Sequence, residues 1–166
     1  MARSGWVSLI AGLALVAAGC GQSDPNTGQD EEEAEVLSAT ESSKEFGDYE
    51  LHFNALTTDQ LGADIAAEYA IVRSKNRVLL NISITREQEI GLPTAVAAEV
   101  TAVARNLTGQ LRRLDVREIR EGDAIYYIAE TPIVNAETLI FTVGATPESE
   151  PAPLSVSFRK QFFVDE

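Results

Sequence analysis

Four arginines are concentrated in residues 112–120, and two of them, Arg113 and Arg117, have the same parity. In an extended strand their side chains point to one face with Asp115, whereas Leu114 and Val116 point to the other. A guanidinium group binds a carboxylate through two parallel hydrogen bonds, so this face predicts a site for an anionic or peptide partner. The same pattern is also typical of a solvated face with cross-strand ion pairs.

His52 is the single histidine of the chain and alternates with apolar residues in a predicted strand. The sequence contains no Gly-x-Ser-x-Gly motif to pair with it, so we expect a surface histidine and no enzyme. The carboxylates of Glu118, Glu121, Asp123 and Glu130 are candidates for paired hydrolytic groups. Their spacing alone does not bring two of them to the separation of roughly 5–10 Å that such chemistry needs.

Composition excludes several function classes. One cysteine and one histidine exclude an intrachain disulfide and the common zinc clusters, so we expect no cofactor and no metal. The net charge is −13, from 26 acidic residues against 13 Lys and Arg. Because nucleic-acid phosphates are repelled by such a charge, we expect no nucleic-acid partner.

The N-terminal region has the form of an export signal. Arg3 precedes an uncharged, mostly apolar run over residues 6–18, which is too short to span a bilayer and fits the apolar region of a signal peptide. The small residues Ala17, Ala18 and Gly19 end this region, and Cys20 comes directly after them. This arrangement resembles the lipobox of bacterial lipoproteins, although Ala17 stands where that family most often has Leu.

The lipobox resemblance implies removal of residues 1–19 and lipidation of Cys20 by a thioether-linked diacylglycerol and an amide-linked acyl chain such as palmitate. Several chains anchor stably, because one chain alone binds a membrane only marginally. Lipoproteins with Asp after the cysteine stay in the inner membrane, and here Gly21 follows. The resemblance therefore implies the outer membrane, facing the periplasm; inner-membrane anchoring and a soluble periplasmic protein are the alternatives.

Residues 21–45 are predicted to form a disordered acidic tether between Cys20 and the folded domain. Eight of these 25 residues are Asp or Glu, and Val36 and Leu37 are almost the only apolar ones. Such a segment cannot bury enough apolar surface to offset the entropy lost on ordering. We therefore place the domain at residues 46–166.

The domain is predicted to be all-β because its dominant period is two. Apolar and polar residues alternate over residues 49–55, 78–85, 125–130, 138–143 and 154–162, with turn residues between them. About seven strands at this spacing favour an immunoglobulin-like β-sandwich, with a small β-barrel as the alternative.

Two segments fit this pattern less well. Residues 59–69 predict a short helix with Asp59 as its N-cap. Residues 95–107 are ambiguous, because their alanine content favours a helix while their alternation favours a strand. We predict a strand, since the neighbouring segments need a partner.

Four strings resemble the DUF4426 family of small exported proteins from gammaproteobacteria. They are GDYELHFNA (47–55), YAIVRSKNR (69–77), NLTGQ (106–110) and REIREGDAIYYIAE (117–130). The resemblance covers residues 46–165 and implies an envelope location and a β-rich domain, but no activity and no catalytic residues. With the signal, it favours a periplasm-facing, non-enzymatic binding or envelope-assembly accessory with a protein or envelope-polymer partner. The alternative is a small cell-envelope hydrolase.

Overall fold

Eleven strands and two short helices make up the part of the chain that the structure describes. This computed structural model describes residues 35–38 and 40–164; the predicted signal peptide, Cys20 and residues 21–34 lie outside the described residues. The strands are β1 (Val36–Leu37), β2 (Ser43–Phe46), β3 (Tyr49–Thr57), β4 (Arg77–Arg86), β5 (Thr94–Ala95), β6 (Ala98–Asn106), β7 (Leu111–Leu114), β8 (Arg117–Glu121), β9 (Ala124–Pro132), β10 (Glu137–Pro147) and β11 (Leu154–Phe162). A 3₁₀ helix (Thr58–Gln60) and α1 (Ala63–Glu68) separate β3 from β4.

The strands form two sheets. The five-stranded sheet has the order β1-β11-β10-β6-β7, and the six-stranded sheet has the order β2-β3-β4-β9-β8 with β5 also paired to β4. Neither sheet closes on itself within the described residues, so the all-β sandwich is confirmed rather than the barrel. The strand number exceeds the predicted seven because the structure contains additional short strands, of which β1 and β5 have only two residues each.

The sandwich core is built from the inward residues of both sheets. Leu51 of β3 and Phe141 of β10 are fully buried, as the alternating pattern predicts. Phe158 of β11 connects the sheets, because its ring stacks on Phe53 at 4.6 Å and on Phe141 at 5.1 Å between centroids. Burial of each large side chain contributes about 1.5–3 kcal/mol, so this core accounts for much of the stability.

The ambiguous segment 95–107 is a strand, as predicted. β6 pairs with β10 over nine residue pairs, from Ala98 to Asn106. Ala104 lies opposite Phe141 in this register, and both are fully buried. A small residue beside a large ring lets the core pack as densely as an organic crystal. This close packing explains why alanines occur in this strand.

The predicted helix near residues 59–69 is confirmed, but its predicted cap is wrong. Asp59 lies inside the 3₁₀ helix, and α1 begins after Gly62, which makes no side-chain capping bond. Two separate helices occupy the segment, since the chain is extended at Leu61 and Gly62 between them.

Both sheets also include strands that precede residue 46, the predicted start of the domain. β1 pairs with β11, and Leu37 is buried against the core with 8% exposure. β2 pairs with β3 over four residues. These strands carry too few apolar residues to show a period, so their pairing depends on partners far along the chain.

Candidate functional site

The outer face of the six-stranded sheet has an apolar half and a polar half. On β4, Leu80 and Ile82 point into the sandwich, so Leu79 and Asn81 point outward. Leu79 is buried nonetheless, because residues 61–71, which we call the α1 segment, lie over it. On β3, His52 and Asn54 point outward without such a cover.

A second, smaller apolar cluster joins the α1 segment to the sheet. Ala66 and Ile71 from this segment are buried together with Leu79 of β4 and Ile128 of β9. Both faces of β9 are apolar in the sequence because both are buried. Ile128 lies in this outer cluster, whereas its neighbours Tyr127 and Ala129 are buried on the inner face of the sheet. The cluster therefore gives the sheet a partial third layer.

An open cavity, the α1 pocket, lies beside this cluster and has a volume of about 170 Å³. Most of its lining is aliphatic or aromatic. The lining consists of Leu61, Ile65, Tyr69, Ile71, Leu79, Asn81, Ile119, Glu121, Tyr126 and Ile128. Cavities lined mainly by apolar side chains with a few polar groups are typical of ligand sites.

Glu121 is the single charged residue in the described lining of the α1 pocket, and Tyr69 holds it in position. The Tyr69 hydroxyl donates to Glu121 Oε1, and this bond to a carboxylate raises the pKa of Tyr69 to about 12. The Arg117 guanidinium donates to the backbone oxygen of Tyr69. These two bonds fasten the end of the α1 segment to β8.

A polar cavity of about 190 Å³, the His52 pocket, adjoins the α1 pocket. Its lining is Ser42, His52, Phe53, Asn54, Asn81 and Ser83. Asn81 lines both pockets, and its buried Oδ1 atom has no hydrogen-bond partner among residues 35–38 and 40–164. An unsatisfied buried acceptor costs about 1–3 kcal/mol, so a donor supplied by a ligand offsets this cost.

His52 lines this pocket and its side chain is half-exposed, which agrees with the predicted surface histidine. Its Nε2 lies 3.2 Å from Thr85 Oγ1 and 3.5 Å from Glu50 Oε2. A general base must lie within hydrogen-bond reach of its nucleophile. In residues 35–38 and 40–164 no hydrogen bond joins the His52 ring to Ser42 or Ser83.

Arg113 and Arg117 do not lie on one extended strand, which was the basis for predicting that they share a face. β7 ends at Leu114 and β8 begins at Arg117, and these strands belong to different sheets. The chain changes sheets at residues 115–116. Arg113 and Arg117 are both exposed, while Leu114 and Val116 pack against the core as their parity predicts.

Three of the four candidate hydrolytic carboxylates have separate partners. Glu118 accepts from Arg120 Nε at 2.5 Å, which lowers the pKa of that carboxyl group. Glu130 pairs with Arg77 at 3.4 Å, and Glu121 accepts from Tyr69. Within the described residues, no cluster of His, Cys, Asp and Glu could hold a metal ion, and no helix could span a membrane.

The sequence patterns missed the α1 pocket. Its walls come from four separated stretches, residues 61–71, 79–81, 119–121 and 126–128. One signal was present: apolar residues on both faces of β9 indicate that the outer face of the sheet is also covered.

Several solved structures resemble this fold, among them the following two. A DUF4426 family protein from Pseudomonas aeruginosa PAO1 matches with 35% identity and a TM-score of 0.64, covering 75% of this chain and 95% of that one. FetP from uropathogenic E. coli strain F11 matches with 15% identity and a TM-score of 0.52, over 75% of this chain and 94% of that one, which shows a shared fold alone. Proteins with curated functions give no match. The profile of the domain of unknown function DUF4426 matches residues 43–165, and the chain belongs to this family.

Proposed function

We propose that this chain is a non-enzymatic binding protein of the bacterial envelope and that the α1 pocket is its ligand site. The main support for this proposal is an open apolar cavity of about 170 Å³. It lies beside Asn81 Oδ1, a buried acceptor without a partner among the described residues. A dry apolar cavity of about 150 Å³ is large enough for benzene. The α1 pocket therefore accommodates one aromatic ring or a short branched alkyl group, presented by a small molecule, a protein or an envelope polymer.

The binding proposal is tested by NMR titration of the full chain with 2-phenylethanol, a neutral probe with one aromatic ring. We expect saturable shifts at the amides of Ile71, Leu79 and Ile128. Ile65→Trp extends a larger side chain into the α1 pocket and should abolish these shifts. Val134→Trp is the matched control, because Val134 is 68% exposed in the β9–β10 turn. Equal binding by wild type and Ile65→Trp would contradict the proposal.

We also propose that the protein is anchored through lipids on Cys20 and faces the periplasm, with the outer membrane as its location. The lipobox-like sequence and family membership support this location, and the FetP neighbour was expressed in the periplasm. Cys20→Ala should lose acyl labelling and leave the membrane fraction, whereas Ser23→Ala should retain both. Unchanged acyl labelling of Cys20→Ala would overturn the anchor.

A further inference from the structure

We infer, resting on the proposed function, that the α1 pocket selects organic cations: molecules with an apolar body and a protonated amine. The apolar body would lie against Leu79, Ile119 and Ile128, and the amine would bind the Glu121 carboxylate. Asn81 adds a neutral acceptor at the boundary with the His52 pocket.

The shape and lining of the α1 pocket define the apolar part of the ligand. Burial of apolar surface provides about 25 cal/mol per Å², and aliphatic walls offer this gain to any alkyl or aryl group. The cavity volume restricts the buried group to about one ring. Apolar burial alone therefore limits size but does not distinguish a cation from a neutral molecule or an anion.

Glu121 supplies the charge selection. Its Oε1 accepts from the Tyr69 hydroxyl, and within residues 35–38 and 40–164 no ion pair or hydrogen bond is formed by Oε2. The neighbouring cations on β8 are engaged elsewhere, since Arg117 donates to the Tyr69 backbone and Arg120 pairs with Glu118. The carboxylate thus presents one oxygen to a donor from the ligand.

The acceptors and the wider charge favour the same class of ligand. The two oxygens that the α1 pocket offers to a ligand, exposed Glu121 Oε2 and buried Asn81 Oδ1, are both hydrogen-bond acceptors. Residues 46–166 carry 18 acidic and 11 basic side chains, so the domain attracts cations and repels anions. An ammonium group offers three donors and a positive charge.

The test compares three probes of similar shape on the full chain by NMR titration: 2-phenylethylamine, 2-phenylethanol and 3-phenylpropionate. At about pH 7 the amine is protonated, as a lysine side chain is. We expect affinity to fall in the order amine, alcohol, acid. Glu121→Gln should weaken amine binding about fivefold relative to alcohol binding. Glu99→Gln, which removes an exposed carboxylate from β6 in the other sheet, should change neither.

The failures of the two proposals are distinguishable. If alcohol and amine bind equally and Glu121→Gln affects neither, the charge selection is wrong while the binding site stands. If none of the three probes binds, the proposed function itself is overturned. If the Glu121→Gln variant does not fold, the wild-type protein provides the test. Added salt should weaken binding of the amine but not binding of the alcohol, and equal salt effects on both would contradict the inference.

Discussion

The sandwich core and the cluster under α1 are both apolar, but they differ in closure. In the core, Leu51 and Phe141 are fully buried between two sheets of similar width. Under α1, Leu79 and Ile128 are buried, yet the neighbouring Ile65 is 41% exposed because the six-residue helix covers only part of the face. A closed layer gives stability, whereas a short cover leaves apolar surface for a ligand.

Removal of an aromatic ring from the sandwich core should have the largest effect on stability. Phe141→Ala leaves a cavity between sheets that cannot collapse, so we expect a loss of about 3–5 kcal/mol in the free energy of unfolding. Urea or thermal unfolding measures it. A loss below about 1 kcal/mol would contradict the assignment of Phe141 to a closed core.

A matched change under α1 should cost less. Leu79→Ala removes a buried side chain beside an open cavity, where α1 can settle inward, so we expect about 2 kcal/mol, at the low end for such truncations. The same unfolding measurement applies, with 2-phenylethanol binding as a second readout that should weaken. If Leu79→Ala cost as much as Phe141→Ala, the α1 cluster would be as closed as the core.

Surface charges should contribute least to stability. The double change Arg113→Ala plus Arg117→Ala is expected to lower the free energy of unfolding by less than about 1 kcal/mol, because both side chains are exposed. Most of that loss should come from Arg117, which holds Tyr69. The two single variants, unfolded in the same way, separate the contributions; a larger effect of Arg113→Ala would reverse this assignment.

The Tyr69–Glu121 bond has a spectroscopic consequence. The pKa of Tyr69 is raised to about 12 because its hydroxyl donates to the carboxylate. This bond stabilises the fold below the usual tyrosine pKa of about 10, and its contribution is lost as the pH rises through about 12. Absorbance of tyrosinate, with Tyr69→Phe as the reference, should show that Glu121→Gln lowers this pKa. An unchanged pKa would mean that the bond is absent in solution.

Periodicity predicted the long strands well, because β3, β4 and β10 each bury one face against the core. It left β6 ambiguous, since alanine suits a helix and also suits a place opposite Phe141. The short strands β1 and β2 were missed because their pairing, not their composition, orders them. The assumption of one continuous strand through Arg113 and Arg117 was wrong for a related reason: the alternation continues across residues 115–116, but the chain moves to the other sheet there.

The α1 pocket lies beyond what alternation can predict. Its polar groups, Glu121 and Asn81, come from β8 and β4, which are separated in the sheet by β9. The sequence shows that β9 is apolar on both faces, but not which segment covers its outer one. The segment between β3 and β4 covers this outer face. Thr58 Oγ1 donates to the backbone oxygen of Val72 and closes that segment into a compact loop.

The parallel pairing of β1 with β11 has a mechanical consequence. Two residue pairs, Val36 with Ser157 and Leu37 with Phe158, join the start of the described chain to an edge of the five-stranded sheet. A pull along β1 from its N-terminal side loads these contacts in shear, so that they break together instead of one after another. Release of β1 would free about 3.3–3.6 Å of chain per residue, while the long ladder between β3 and β4 stays paired. Detachment of β1 would thus be a separate event from unfolding of the sandwich core.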